Sequence, residues 1–206
     1  MNDHDTTVKT SRGQTMRYNM EKLGSALGLP DRLFLLRDKG EEAYPYLRAF
    51  LGDTPEGQPL VLVFPANQLV DASFADESIV RLGRELVDGE FGQRCLLLEE
   101  LTEDSVHNIE AAIHLQNLKL AFLAVESSGG WRTIGHLEPS LQEVLEILAR
   151  RDCLTTVRLA ELLGLAVNTA SNRLKRLYDQ HLVRREHEIS GTGLQYIYYF
   201  WNWKED

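Results

Sequence analysis

The sequence predicts an α/β unit with a small, largely parallel sheet, followed by an α+β unit of three helices and a β-hairpin. Three observations carry this reading. Strand-like apolar runs alternate with helix-period stretches between residues 59 and 125. Three successive helical periods follow Pro139, the second ending at Gly164. Charge also divides at Pro139: up to that residue the chain holds 13 basic and 22 acidic side chains, and beyond it nine of each. The whole net charge of −9 therefore belongs to the first part.

Residues 1–14 are polar and mixed in charge, and are expected to form a flexible arm. The α/β unit is expected over residues 15–130. A short amphipathic helix is predicted over 19–27, an apolar run over 32–37, and a second helix over 41–51. Asp53, Thr54, Pro55, Glu56 and Gly57 form a turn cluster. Leu60, Val61, Leu62, Val63 and Phe64, bounded by Pro59 and Pro65, read as a buried strand. The alternation then continues. A helix over 74–87 places Ile79, Leu82 and Leu86 on one stripe. A strand follows over 94–98, a helix over 103–116 and a strand over 118–125. Strand, helix, strand, helix, strand at this spacing gives helices layered on a parallel sheet. Ser127, Ser128, Gly129 and Gly130 break the pattern, and the stretch from there to Pro139 is expected to connect the two units.

The second unit is expected over residues 138–206. Leu141, Val144, Leu145 and Leu148 recur at i, i+3, i+4 and i+7, the signature of an amphipathic helix over 140–150. A second helix starts at Thr155 or Thr156. Gly164 ends it, as a residue needing positive φ does. A third helix runs over 167–180, with Ala170, Leu174 and Leu177 facing the core. A strand over 182–188, a glycine-bearing turn over 189–193 and a return strand over 195–201 complete a hairpin.

The run from Gly164 through Leu165, Ala166, Val167, Asn168, Thr169, Ala170, Ser171, Asn172 and Arg173 to Leu174 resembles helix-turn-helix sequences of the type G-V-S-x-x-T-V-S-R-x-L. Small Ala160 lets the two helices approach, and Leu165, Ala170 and Leu174 fall at the packing positions. Ala166 stands where a capping serine is usual, which should cost roughly 1 kcal/mol of local helix stability. Joined to the hairpin, the region is similar to winged helix-turn-helix regulators of the MarR and ArsR type. That resemblance implies binding of double-stranded DNA, with a homodimer to match two half-sites. The exposed face of the third helix would then carry Asn168, Thr169, Asn172, Arg173 and Arg176, flanked by Ser171 and Lys175. Asn pairs with adenine edges and Arg with guanine edges, while Ser, Thr and Lys suit phosphates. Arg184 and Arg185 would grip the backbone beside the wing. The same residues also fit an ordinary solvated helix face. The tail from Tyr196 to Trp203 is apolar on both sides, so one side should pack on the first unit, on a second subunit, or on a larger local core.

In the first unit, the strand over 60–64, the segment Val70, Asp71, Ala72, Ser73, Phe74, Ala75, Asp76 and the later strand and helix resemble the STAS-like domains. The resemblance implies a sensing or protein-interaction domain, with a regulatory protein as a possible partner, and not an enzyme. Ser73 with Asp76 three residues on fits a helix cap. The resemblance adds a second role, since related antagonists are phosphorylated on a serine at this helix N-terminus. The loop here lacks that family's paired serine and glycine.

Other groups exclude more than they suggest. Cys95 and Cys153 are far apart in apolar stretches, with no disulfide framework and no CxxC. His107, Glu110 and His114 share a helix face and could bind a metal, but equally form a plain polar face, so no metal or cofactor is expected. There is no nucleophile–base pair and no nucleotide fingerprint. No apolar run approaches the ~18 residues of a membrane helix, and the polar start lacks a secretory signal's order; a cytoplasmic location is expected. Three functions follow in order: a transcriptional regulator, a partner-switching protein whose winged helix docks protein, and a small-molecule enzyme.

Overall fold

The computed structural model describes residues 15–151, 153–190 and 193–203. The arm expected over 1–14 and the centre of the hairpin turn at Gly191 and Thr192 lie outside them. The first unit is built on a five-stranded sheet. Its strands are β1 (Met16–Asn19), β3 (Pro59–Val63), β5 (Cys95–Glu99), β6 (Ala121–Val125) and β7 (Trp131–Gly135), adjacent in that order. The first four are parallel and β7 is antiparallel to β6. The short strands β2 (Leu33–Phe34) and β4 (Leu69–Val70) pair separately.

The connecting helices are α1 (Met20–Ala26), α2 (Arg37–Asp53), a composite helix and α5 (Glu103–Leu115). The composite helix consists of α3 (Ala72–Ala75), a π-helical turn (Asp76–Val80) and α4 (Arg81–Val87). Because strand order follows chain order, crossovers of one hand stack the helices on a single face. The side chains confirm this. Leu60, Leu62, Leu96, Leu98, Phe122 and Ile134 join Leu47, Phe74, Ile79, Leu82, Ile109 and Ile113 in one core. The alternate residues Val61, Cys95, Leu97, Ala121, Leu123 and Val125 point to the other face.

That second face is covered by the C-terminal unit. Val61, Leu97 and Leu123 share a core with Leu145, Leu148, Leu174, Val183, Tyr198, Trp201 and Trp203. Polar contacts close the seam. The Trp203 indole donates to the Glu126 carbonyl at 3.4 Å, and the Arg17 guanidinium donates to the Trp203 carbonyl at 3.3 Å. Arg17 also pairs with Glu99, which is buried at the end of β5. The apolar tail joins the sheet of the first unit and the C-terminal helices in one core.

Several elements differ from expectation. Residues 131–135, expected in a connection, form the edge strand β7. Ser127 to Gly130 make the turn of the β6–β7 hairpin, with Ser127 donating from its amide (2.9 Å) and hydroxyl (2.7 Å) to Glu100. Strand β1 was not anticipated, because four half-exposed residues carry little signal. Ser73 does not cap its helix. Asp71 is the cap, accepting from the Phe74 amide at 2.7 Å with one oxygen and from the Leu36 amide at 2.9 Å with the other. Ser73 lies exposed inside α3, and Asp76 pairs with Arg37 at 3.2 Å. Cys95 is buried and Cys153 is exposed.

Leu123 is fully buried on the face shared with the winged region. Leu123→Ala should lower stability by about 2–5 kcal/mol. In a Trp131→Phe background, denaturation followed by the fluorescence of Trp201 and Trp203 and by amide exchange in the sheet should show one coincident transition. Two separate transitions would mean that the units do not depend on each other.

Candidate nucleic-acid interface

The C-terminal unit begins with α6 (Pro139–Ala149), which carries Pro at its first position, where no amide is needed. Leu141, Val144, Leu145 and Leu148 are its buried stripe. The two-residue strand β8 (Leu154–Thr155) leads into α7 (Thr156–Leu163), capped by the Thr155 hydroxyl, which accepts from the Arg158 amide at 3.3 Å. Gly164 follows with φ 62° and ψ 34°, the left-handed conformation that favours glycine. It turns the chain so that α8 (Val167–Asp179) packs across α7 and α6. Ala160, Ala170, Leu174 and Leu177 are buried at that crossing; Leu165 is half-buried. Strands β9 (Val183–Ser190) and β10 (Gly193–Phe200) form the hairpin, with β10 between β8 and β9.

This geometry presents one polar face of α8 to solvent. Asn168, Thr169, Asn172, Lys175 and Arg176 are exposed on it, and Ser171 and Arg173 are half-buried at its margin. Val167, absent from the sequence reading, stands 52% exposed at the first turn. Ala166 makes no side-chain cap hydrogen bond, and the Thr169 amide donates instead to the Ala166 carbonyl at 3.0 Å.

The basic side chains are not idle. Arg176 grips Glu138 through two bonds of 2.8 and 2.5 Å. Arg173 meets Glu143 at 3.3 Å, Lys175 meets Asp179 at 2.5 Å, and Arg184 pairs with Glu186. The Arg184 guanidinium also lies 4.2 Å from the Tyr199 ring centre. Arg185 is held between Tyr178 (3.8 Å) and Tyr196 (4.2 Å), a cation–π sandwich. The bond to Arg176 holds the Glu138 carboxyl below its usual pKa, with Lys119 and His136 adding to the effect. Sequence spacing could have shown the Lys175–Asp179 pair, at i and i+4. The partners Glu138 and Glu143 come from α6 and its approach, and only the fold brings them in.

The hairpin tip departs from a phosphate-gripping wing. Ile189 and Leu194 are cross-strand partners, 82% and 58% exposed. Glu186 and Glu188 precede them on β9. The polar face with His107, Glu110 and His114 assembles no metal site, and no group of three such side chains does so among the described residues. No helix among the described residues is long and apolar enough to cross a membrane.

A winged helix-turn-helix DNA-binding family model matches residues 137–184, covering α6, the turn, α8 and the start of the wing. No curated protein matches the chain. The chain thus carries a winged helix-turn-helix DNA-binding region, preceded by a mixed α/β unit.

The base of the wing is tied to the α/β unit by His181. Its Nδ1–H donates to the Arg94 carbonyl at 2.7 Å, and the neighbouring Arg185 amide donates to the Gln93 side chain at 3.3 Å. Burial pushes the His181 pKa below 6.5, against the opposing pull of the Arg94 and Leu86 carbonyls. Below about pH 6.5 the unfolded chain binds a proton that the folded one resists, so stability falls as pH falls through that window. His181 has φ 57°, which Asn tolerates. His181→Asn should flatten the dependence of melting temperature on pH below about 6.5. An unchanged slope would place the titration elsewhere.

Proposed function

We propose that this protein is a DNA-binding transcriptional regulator whose α8 enters the major groove. The observation that carries the reading is the exposed polar face of α8 at the end of a turn-glycine helix-turn-helix. Asn168, Asn172, Arg173 and Arg176 suit base edges or the adjoining phosphates, and Thr169, Ser171 and Lys175 suit phosphates. The exposed Val167 adds an apolar group of the kind that meets a thymine methyl. Arg184 and Arg185 lie at the wing's base, where they would face the backbone. The STAS-like α/β unit would sense a signal or a partner, or would dimerise the protein so that two wings meet two half-sites. No catalytic step is proposed for it.

Two observations favour a second reading. The basic groups are already paired or stacked, and Ile189 and Leu194 expose apolar surface on the wing strands. Both features suit a partner-switching module whose winged helix docks protein, with the exposed Ser73 open to a regulatory kinase.

The triple variant Asn172→Ala, Arg173→Ala, Arg176→Ala separates the two. Losing the Asn172 and Arg173 contacts should cost the regulator at least about 2 kcal/mol of preference for its upstream DNA over a scrambled duplex, since each lost base contact is worth roughly 1–3 kcal/mol. Its circular dichroism should be unchanged. Wild-type affinity in the triple variant would place recognition on another surface.

A further inference from the structure

Arg173, Lys175 and Arg184 each meet a carboxylate, but the carboxylate of Glu138 has a different setting. It lies at the junction of the two units, gripped by Arg176 and within electrostatic reach of Lys119 and His136. Arg176 reaches it from α8 with both Nη atoms, the fork geometry by which guanidinium also takes a phosphate. Lys119 precedes β6 and His136 follows β7, and the His136 amide donates to the Leu120 carbonyl at 2.9 Å, which ties together the strand ends that carry them. Glu138 follows two residues after His136. Lys119 and His136 are exposed, and the Glu138–Arg176 pair is itself open to water, at 41% and 44% side-chain exposure.

We propose that Glu138 occupies the seat of a DNA backbone phosphate, in a site formed jointly by Arg176 of the recognition helix and by Lys119 and His136 of the α/β unit. The inference rests on the DNA-binding reading and extends it to residues outside the winged region. A carboxylate and a phosphodiester each carry one negative charge and accept the same fork of donors. The exposed glutamate can rotate away, so the phosphate replaces it rather than adding to it. The α/β unit thereby touches the duplex beside the recognition helix. Binding is also restrained, because every duplex must displace Glu138 before Arg176 is available. Glu143 lacks this setting, since it meets Arg173 through one bond and no base of the α/β unit lies beside it among the described contacts.

The test titrates the full chain against its own upstream duplex and a scrambled duplex at several salt concentrations. Glu138→Gln removes the charge and keeps the shape. It should tighten binding to both duplexes, by about tenfold at low salt, and steepen the salt slope by about one. Lys119→Gln lies outside the winged region and on the surface. It should weaken binding to both duplexes alike and make the slope shallower by about one. A folded Glu138→Gln protein that binds no tighter than wild type would overturn the inference, as would an unchanged salt slope in Lys119→Gln. If the wild type binds DNA and the variants behave in either of those ways, only this inference fails. If the folded wild type binds neither duplex even at low salt, the DNA reading fails and the inference with it.

Discussion

A parallel sheet has to be covered on both faces, and in this protein only one face is covered by its own crossover helices. Strand order that follows chain order puts every crossover on the same side. The opposite side, lined by Val61, Cys95, Leu97, Ala121, Leu123 and Val125, would otherwise be an apolar surface in water. The winged helix-turn-helix supplies the missing layer. Its buried Tyr198, Trp201 and Trp203 extend a core that α6, α7 and α8 alone would close less completely. The two units share one hydrophobic interior, so the position of the recognition helix is set by the sheet behind it.

Most of the elements were legible in the sequence because each has its own period. Helices over 103–116, 140–150 and 167–180 are amphipathic with clean stripes, and their observed bounds differ by a residue or so. Gly164 was legible because a left-handed residue leaves a chemical mark. Strands β1 and β7 were not, for a different reason. Both are edge strands, half-exposed, and held by ladder bonds to β3 and β6 that no local pattern encodes. The cap assigned to Ser73 went to Asp71 because Asp71 also satisfies the Leu36 amide, a contact 35 residues away. Local spacing cannot weigh a tertiary partner.

The candidate site divides in the same way. Its residue types and their common face on α8 follow from helical spacing. Its electrostatic state does not. Arg173, Lys175, Arg176, Arg184 and Arg185 lie within one short span of the sequence, a cluster suited to meeting phosphates. Folding brings Glu138, Glu143, Asp179 and Glu186 against four of them and tyrosine rings against the fifth. A protein of net charge −9 carrying a largely self-neutralised recognition face has weak long-range attraction for DNA in general. It would depend more on close contacts of Asn168 and Asn172 with base edges, which favours discrimination over raw affinity.

The seam between the units then has a functional meaning. The loop leading into β5 touches the winged region twice, through the Arg94 carbonyl to His181 and through Gln93 to the Arg185 amide. The same loop is bound to the turn after α2: the Gly57 amide donates to the Gln93 carbonyl at 2.6 Å, and the Gln93 amide donates to Glu56 at 3.2 Å. His181 terminates the turn after α8, and Arg185 stands on β9 at the foot of the wing. A shift of α2 relative to the sheet would therefore reach both the C-terminal end of the recognition helix and the base of the hairpin. Packed interiors move between discrete arrangements rather than deforming continuously. Under the proposed regulator reading, a signal received by the α/β unit would act by changing the seating of the whole winged layer on the sheet.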